Sequence, residues 1–149
     1  MERKVNNHEQ EAQKCVFCDI VSGKAESSKI SETEASFAFM AMEGHTIVIP
    51  KKHIGENEVN ENLDSLIQAI ELASKLIEPT KKALGATAIN LIVNIGKDAG
   101  QRVDHAHVHV IDRKPGDKKA IFPYIPALSR TELNKRAEDI RIRANLDKA

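Results

Sequence analysis

The chain has 149 residues, enough to bury one hydrophobic core without disulfides, so we expect a single domain. Its 22 basic and 22 acidic residues cancel, which leaves no net charge to attract nucleic acids or acidic membranes over long range. Aromatic residues make up only 3%, too few for the stacking surfaces that single-strand binders use. Charge and composition therefore argue against nucleic acid as a partner.

The cysteine content and the apolar runs bear on the compartment. Cys15 and Cys18 are too few and too close together for the disulfide framework of a small secreted domain, and no signal peptide precedes them. No apolar run approaches the roughly 18 residues that a membrane span needs. We expect a soluble, cytoplasmic protein with no membrane association.

The first half of the chain predicts an arm, a strand pair and a long helix. Residues 1–14 are polar and predict a flexible N-terminal arm, which leaves 15–149 as the single domain. Residues 37–42 and 45–49 predict two strands joined by a tight turn. Residues 60–84 have apolar side chains at helical spacing, and Pro79 predicts a kink or break near Glu78.

The second half predicts two strands and a final helix. Residues 88–95 form a strand-like run, and residues 103–111 alternate with a period of two. Ser129 and Glu132 have the spacing of a capping box, which predicts a helix start. The predicted buried stripe of that helix is Leu133, Ala137, Ile140 and Ala144. This order of elements indicates an α+β domain with an antiparallel sheet covered on one face by a helical layer.

Three histidines stand at alternate positions of the second strand-like run. Because side chains alternate across a strand, His105, His107 and His109 are expected on one face, about 6.5 to 7 Å apart. A solvent-facing strand that is rich in histidine by chance is the less favoured alternative. Upstream, the glycine-containing stretch around Gly96 and Gly100 predicts a loop whose backbone amides donate to an anion.

The motif Asn94-x-Gly96-x-x-x-Gly100-Gln101-x-Val103-x-His105-x-His107-x-His109 resembles the signature of the histidine-triad, or HIT, superfamily. Cys15-x-x-Cys18-x-Ile20 and the segment 44–53, which reads Gly-His-Thr-Ile-Val-Ile-Pro-Lys-Lys-His, are also similar to HIT proteins. The resemblance extends over residues 15–111.

The resemblance implies the α+β HIT fold, usually a homodimer whose sheet continues across the interface. It also implies an enzyme that cleaves nucleoside phosphoramidates or dinucleoside polyphosphates, so a purine nucleotide or dinucleotide is the expected substrate. His107 matches the nucleophile that attacks the α-phosphorus, and a neutral imidazole at cytosolic pH suits that role. Further matching positions are His109 and His45 at the phosphate, Gln101 near the leaving group, and Asn94, Gly100 and Val103 around the α-phosphate.

The cysteine pair has the spacing of a zinc site, and two thiolates need two more ligands. By the resemblance, the other ligands of a structural zinc ion are His53 and His105. A redox-active thiol pair and two unpaired core cysteines remain alternatives. If His105 binds zinc, His107 and His109 are left for catalysis.

The chain also departs from the family pattern. Residues 39–43 are shorter than the corresponding segment of many HIT proteins and lack the Asp that holds the ribose, which leaves nucleoside recognition open. Two other functions remain alternatives. One is a hydrolase with a catalytic metal on His105, His107 and His109, and the other is a nucleotide-binding regulatory module with little turnover.

Overall fold

A computed structural model describes residues 14–119 and 127–144. The predicted arm, except for Lys14, lies outside the described residues and stays a prediction. The chain divides between Asp117 and Lys118 into two compact units, and each is described by itself.

The first unit contains a five-stranded sheet in the order β1-β2-β3-β5-β4, with every neighbouring pair antiparallel. Its helices are α1 (Val16–Ser22), α2 (Leu63–Lys75) and α3 (Ile77–Leu84). Its strands are β1 (Ser28–Glu32), β2 (Ser36–Met40), β3 (Thr46–Pro50), β4 (Ala88–Ile92) and β5 (Val108–Arg113). A short 3₁₀ turn, Lys97–Ala99, lies between β4 and β5. The predicted α+β class with an antiparallel sheet is confirmed.

The core lies on both faces of this sheet because neighbouring strand residues point to opposite sides. On one face, Ala69, Leu72 and Ala73 of α2 pack with β-strand residues that include Val48 and Val108. On the other face, α1 packs against the aromatic residues of β2. The sequence predicted a helical layer on one face only, since α1 and β1 were not recognised. Both are short, and β1 is a polar edge strand.

The predicted break in the long helix occurs two residues before Glu78. Helix α2 ends at Lys75, Leu76 forms the junction, and α3 begins at Ile77. Pro79 is therefore the third residue of α3, in the first turn, where the backbone N–H has no intrahelical partner to lose.

The strand predicted over residues 103–111 is shorter than expected. Strand β5 begins at Val108, so His105 and His107 precede it and only His109 is a strand residue. The preceding segment is instead tied to the loop after β3, because the Ala106 amide donates to the Ile54 carbonyl. Residue 50, at the end of β3, is a proline and cannot donate to a longer ladder. Likewise, β4 ends at Ile92 rather than at residue 95.

The second unit contains α4 (Arg130–Ala144). The predicted capping box is confirmed, because the Ser129 amide donates to a Glu132 carboxylate oxygen at 2.8 Å and the Glu132 amide donates to Ser129 Oγ at 3.2 Å. The predicted buried stripe is wrong, since no residue of α4 is buried and Leu133 and Ile140 are 41% and 67% exposed. The stripe's other two members, Ala137 and Ala144, offer little apolar area to bury. None of the helices in the described ranges has the length and apolar character needed to cross a bilayer.

Candidate active site and metal-binding cluster

A cleft of about 860 Å³ lies against the face of the sheet that α1 covers. Its lining is largely apolar and includes several polar side chains. Apolar lining residues include Val16, Phe17, Ile20, Phe39, Met40 and Ile47; polar ones include Asn94, His45, His107 and His109. A mostly apolar pocket with a few converging polar groups is typical of a small-molecule site.

His107 is held in one orientation at the floor of this cleft. The residue is only 4% exposed, and its Nδ1 donates to the His105 carbonyl at 2.7 Å. Because a carbonyl oxygen only accepts, Nδ1 carries the proton and Nε2 keeps its lone pair. Burial lowers the pKa of His107 below its ordinary value, partly opposed by this hydrogen bond. The ring is therefore neutral and nucleophilic at neutral pH.

Phe17 of α1 fixes the same ring from the side. Its edge-to-face contacts place ring centroids 5.1 Å from His107 and 5.8 Å from His105. Phe39 packs against Phe17 at 5.6 Å. Phe17 was missed at the sequence level, because α1 was not recognised and adjacent helix positions such as Phe17 and Cys18 do not share a face.

His45 and His109 form a second imidazole pair beside His107. A hydrogen bond of 2.9 Å joins His45 Nε2 to His109 Nδ1, and the His109 ring lies 4.8 Å from the His107 ring. Burial first, and then the neighbouring histidines, lower the pKa of His109 to about 4, with Glu43 acting in the opposite direction. At neutral pH this ring is uncharged and can serve as a neutral hydrogen-bond donor.

The loop after β4 differs from the predicted anion-binding loop. Gly96 and Gly100 have φ of +96° and +93°, which favours glycine. However, the amides of residues 96, 99, 100 and 101 all donate within the loop itself. These four amides are therefore not available as donors to a phosphate in this structure, and polar side chains that line the cleft include Asn94, His45, His107 and His109.

Gln101 accounts for part of this internal bonding. Its Oε1 accepts from the Gly96 amide at 2.7 Å, and its Nε2 donates to the Val103 carbonyl at 2.9 Å. Gln101 is buried behind the loop and does not line the cleft, whereas the predicted site residues Asn94, Gly100 and Val103 do. Arg102, which the sequence did not single out, also lines it.

The other predicted cluster assembles next to this cleft. Cys15, Cys18, His53 and His105 place one ligand atom each so that all four lie within 4.8 Å of one another. The separations from Nδ1 of His105 are 3.4 Å to Cys15 Sγ and 3.5 Å to Cys18 Sγ, and Cys18 Sγ lies 3.3 Å from His53 Nδ1. A tetrahedral ion with ordinary zinc–sulfur and zinc–nitrogen bonds separates such atoms by about 3.5 Å.

The surroundings prepare these side chains as metal ligands. His105 is fully buried, and its Nε2 donates to the Pro50 carbonyl at 2.7 Å, which leaves Nδ1 unprotonated toward the cysteines. Burial lowers the pKa of His105 and keeps the ring neutral. Burial and the neighbouring Cys15 raise the pKa of Cys18 to about 11, so without a cation this thiol stays protonated. The four residues fit a metal ion that binds thiolates and neutral imidazoles.

Comparisons with known proteins agree with these observations. A family model described as the HIT domain matches residues 22–116. An adenosine 5'-monophosphoramidase of Schizosaccharomyces pombe is 34% identical over 85% of this chain and 95% of the relative. An adenylylsulfatase of Arabidopsis thaliana is 35% identical over 69% of this chain and 54% of the relative. The crystal structure of a HIT family protein from Bacillus subtilis superposes with a TM-score of 0.76 at 29% identity, over 88% of this chain and 97% of the other.

Proposed function

Because the chain belongs to the HIT domain family, we propose that it is a nucleotide hydrolase or transferase that acts at the α-phosphorus of nucleoside phosphoramidates or dinucleoside polyphosphates. The observation that carries this proposal is the fixed His107 ring, whose Nδ1 is bonded to a carbonyl and whose Nε2 is left as the nucleophile. Relatives named adenosine 5'-monophosphoramidase and adenylylsulfatase support a hydrolase of this kind.

His107 acts in two displacements. Its Nε2 lone pair attacks the α-phosphorus, a P–N bond forms, and the bond from phosphorus to the leaving group breaks with its electron pair. Water then attacks the phosphorus of the nucleotidyl-His107 and loses a proton to solvent, and the P–N bond breaks with its electron pair returning to Nε2, which releases the nucleoside monophosphate and the neutral imidazole. The carbonyl of His105 holds Nδ1 through both steps and stabilises the positive charge that the ring carries as an adduct.

The remaining site residues bind and orient the phosphoryl group. When His45 Nε2–H donates to His109 Nδ1, the His109 proton resides on Nε2 and is free to donate to a non-bridging oxygen. Asn94, Gly100 and Val103 line the cleft beside this position. We assign Gln101 an indirect role, because its amide holds the loop that presents these three residues.

Two alternative functions are less well supported. A three-histidine catalytic metal site needs ligand atoms of His105, His107 and His109 to converge. Among the described residues, the group of three or more His, Cys, Asp or Glu side chains that could hold a metal ion is instead Cys15, Cys18, His53 and His105. A regulatory module with little turnover has no need of a nucleophile with a fixed tautomer, and the shortened segment 39–43 is the feature that favours it.

The decisive experiment follows covalent mass and product together. The parent protein, mixed with an adenosine phosphoramidate and quenched in the first turnover, is expected to carry one adenylyl group on the peptide containing His107. His107→Ala is expected to lose the adduct and to lower kcat by at least about 10³-fold. His8→Ala, which alters a histidine outside the described residues, is the matched control. Parent-like turnover in His107→Ala would overturn the nucleophile assignment.

We further propose that the Cys15, Cys18, His53 and His105 cluster holds a structural zinc ion. The sulfur–nitrogen separations of 3.3 to 3.5 Å match a tetrahedral site, and the Pro50 carbonyl orients His105 as an outer hydrogen-bond partner does in such sites. Bound zinc ties α1 to the segment that contains the nucleophile. Two thiols that must stay reduced to bind a metal also favour a cytoplasmic location.

We propose a homodimer as the assembled form. Helix α2 exposes Leu63, Ile67 and Ile70 at spacings of four and three residues, with 48%, 57% and 36% of their surfaces accessible. Strand β4 is an edge of the sheet, and Leu91 on it is 36% exposed. An apolar stripe and an unpaired strand edge are the features that a second copy of the chain would cover.

A further inference from the structure

Arg102 lies at the edge of the candidate active site and has no role in the chemistry described above. It is exposed, and it lines the same cleft as His107, His109 and Asn94. No hydrogen bond or ion pair joins its side chain to any other residue of the described ranges. The guanidinium is therefore available to a ligand. Among the described residues that line the cleft, Arg102 is the only lysine or arginine.

The backbone beneath Arg102 is firmly placed. The residue before it, Gln101, accepts a hydrogen bond from the Gly96 amide through its side chain. The same side chain donates to the carbonyl of Val103, the residue after Arg102. The Gln101 amide also donates to the Gly96 carbonyl at 3.2 Å. An arginine on a fixed backbone loses less freedom when it binds a ligand than one on a mobile loop.

The other formal charges of the cleft are negative and come from different segments. Glu26 precedes β1, and Glu43 follows β2, whereas Arg102 belongs to the loop that precedes β5. His109 adds no positive charge at neutral pH, because burial lowers its pKa to about 4. An anionic group on a bound nucleotide is thus attracted toward Arg102 and repelled from the two carboxylates.

We propose that Arg102 is a specificity-determining residue that selects substrates whose leaving group is an oxyanion, such as sulfate or a phosphate ester. This inference rests on the proposed attack of His107 on the α-phosphorus and names the leaving group that the same cleft favours. The forked guanidinium donors suit a sulfate or phosphate group by geometry as well as by charge.

Oxyanion and amine leaving groups need different assistance when their bond to phosphorus breaks. When the P–O bond to an oxyanion breaks, the electron pair leaves with the oxygen, and Arg102 stabilises the negative charge that develops there. When the P–N bond of a phosphoramidate breaks, the amine takes a proton from solvent as it leaves, and a guanidinium, which does not give up its protons in proteins, does not supply it. Arg102 is therefore expected to accelerate the first reaction and not the second.

The test compares adenylyl sulfate and diadenosine tetraphosphate with adenosine 5'-phosphoramidate, using kcat/KM for the parent, Arg102→Gln and Arg102→Lys. Arg102→Gln is expected to lower kcat/KM by about 10- to 100-fold for both oxyanion substrates and by less than about 3-fold for the phosphoramidate. Arg102→Lys is expected to recover part of the loss. The control, Lys97→Gln, removes a positive charge from an exposed residue of the same loop that does not line the cleft.

The outcomes separate this inference from the proposed function. A selective loss with partial recovery by lysine supports it, and a loss on one oxyanion substrate alone narrows the class to sulfate or to phosphate esters. An equal loss on all three substrates, or no loss on any, overturns it while the His107 chemistry stands. Absence of turnover and adduct with every substrate in the parent overturns the proposed function itself.

Discussion

Removal of the metal tests the link between the cysteine pair and the fold. The ligand atoms of Cys15, Cys18, His53 and His105 already lie within 4.8 Å of one another in the folded chain. An unfolded chain does not hold the two cysteines near either histidine, so the proposed zinc ion is expected to bind the native state preferentially. At free zinc 100-fold above Kd, this preference adds about 2.7 kcal/mol to the free energy of unfolding. For a unit of this size, that corresponds to a rise in Tm of about 10 °C.

The assay is thermal unfolding after chelation and reduction, followed by addition of zinc. The parent is expected to bind one zinc ion per chain by elemental analysis and to regain the higher Tm. Cys18→Ser is expected to lose the zinc-dependent shift, while His107→Asn keeps it because His107 is not among the four ligands. An unchanged Tm in the parent, or a shift that survives in Cys18→Ser, would refute the assignment of these residues as the site.

Two further predictions concern acid stability and assembly. The folded pKa of His109 is about 4, below that of an unfolded histidine near 6.5. The unfolded state therefore binds more protons between these values, and stability is retained above pH 6.5 and lost as the pH falls toward 4. Urea unfolding of the chelated protein at pH 7 and pH 5 should show this loss, and His109→Asn should reduce it; an equal loss in the variant contradicts the reasoning. Ile67→Glu is expected to convert a homodimer to a monomer in analytical ultracentrifugation, with Gln68→Glu, which adds the same charge at the next, exposed position of the helix, as the control. A dimer that survives this change would place the interface elsewhere.

Local chemistry in the sequence was sufficient to predict most elements of the fold. Runs of aromatic and β-branched residues predicted the β2 and β3 strands, and helical spacing predicted α2. The capping box was predictable because its two members, Ser129 and Glu132, are only three residues apart. The grouping of Cys15 and Cys18 with His53 and His105 was likewise expected, although those residues are as many as 90 positions apart. That expectation came from the family resemblance, since spacing supplies only the cysteine pair.

The errors occur where long-range contacts outweigh a local pattern. Residues 103–107 alternate like a strand, yet hydrogen bonds to the loop after β3 hold them outside the ladder. Helix α4 has a helical apolar stripe but no buried residue, because periodicity alone does not supply an opposing surface.

The sequence by itself determined which groups are available: three alternating histidines, a cysteine pair, and a glycine-containing loop. Only the tertiary structure decided how each is used, because the competing hydrogen bonds come from distant parts of the chain. It directs Nδ1 of His105 to the cysteines and Nδ1 of His107 to a carbonyl. It turns Gln101 and the loop amides inward, and it leaves Arg102 facing the cleft. Sequence spacing fixes neither a histidine tautomer nor the partner of an amide, since both depend on atoms that folding brings together.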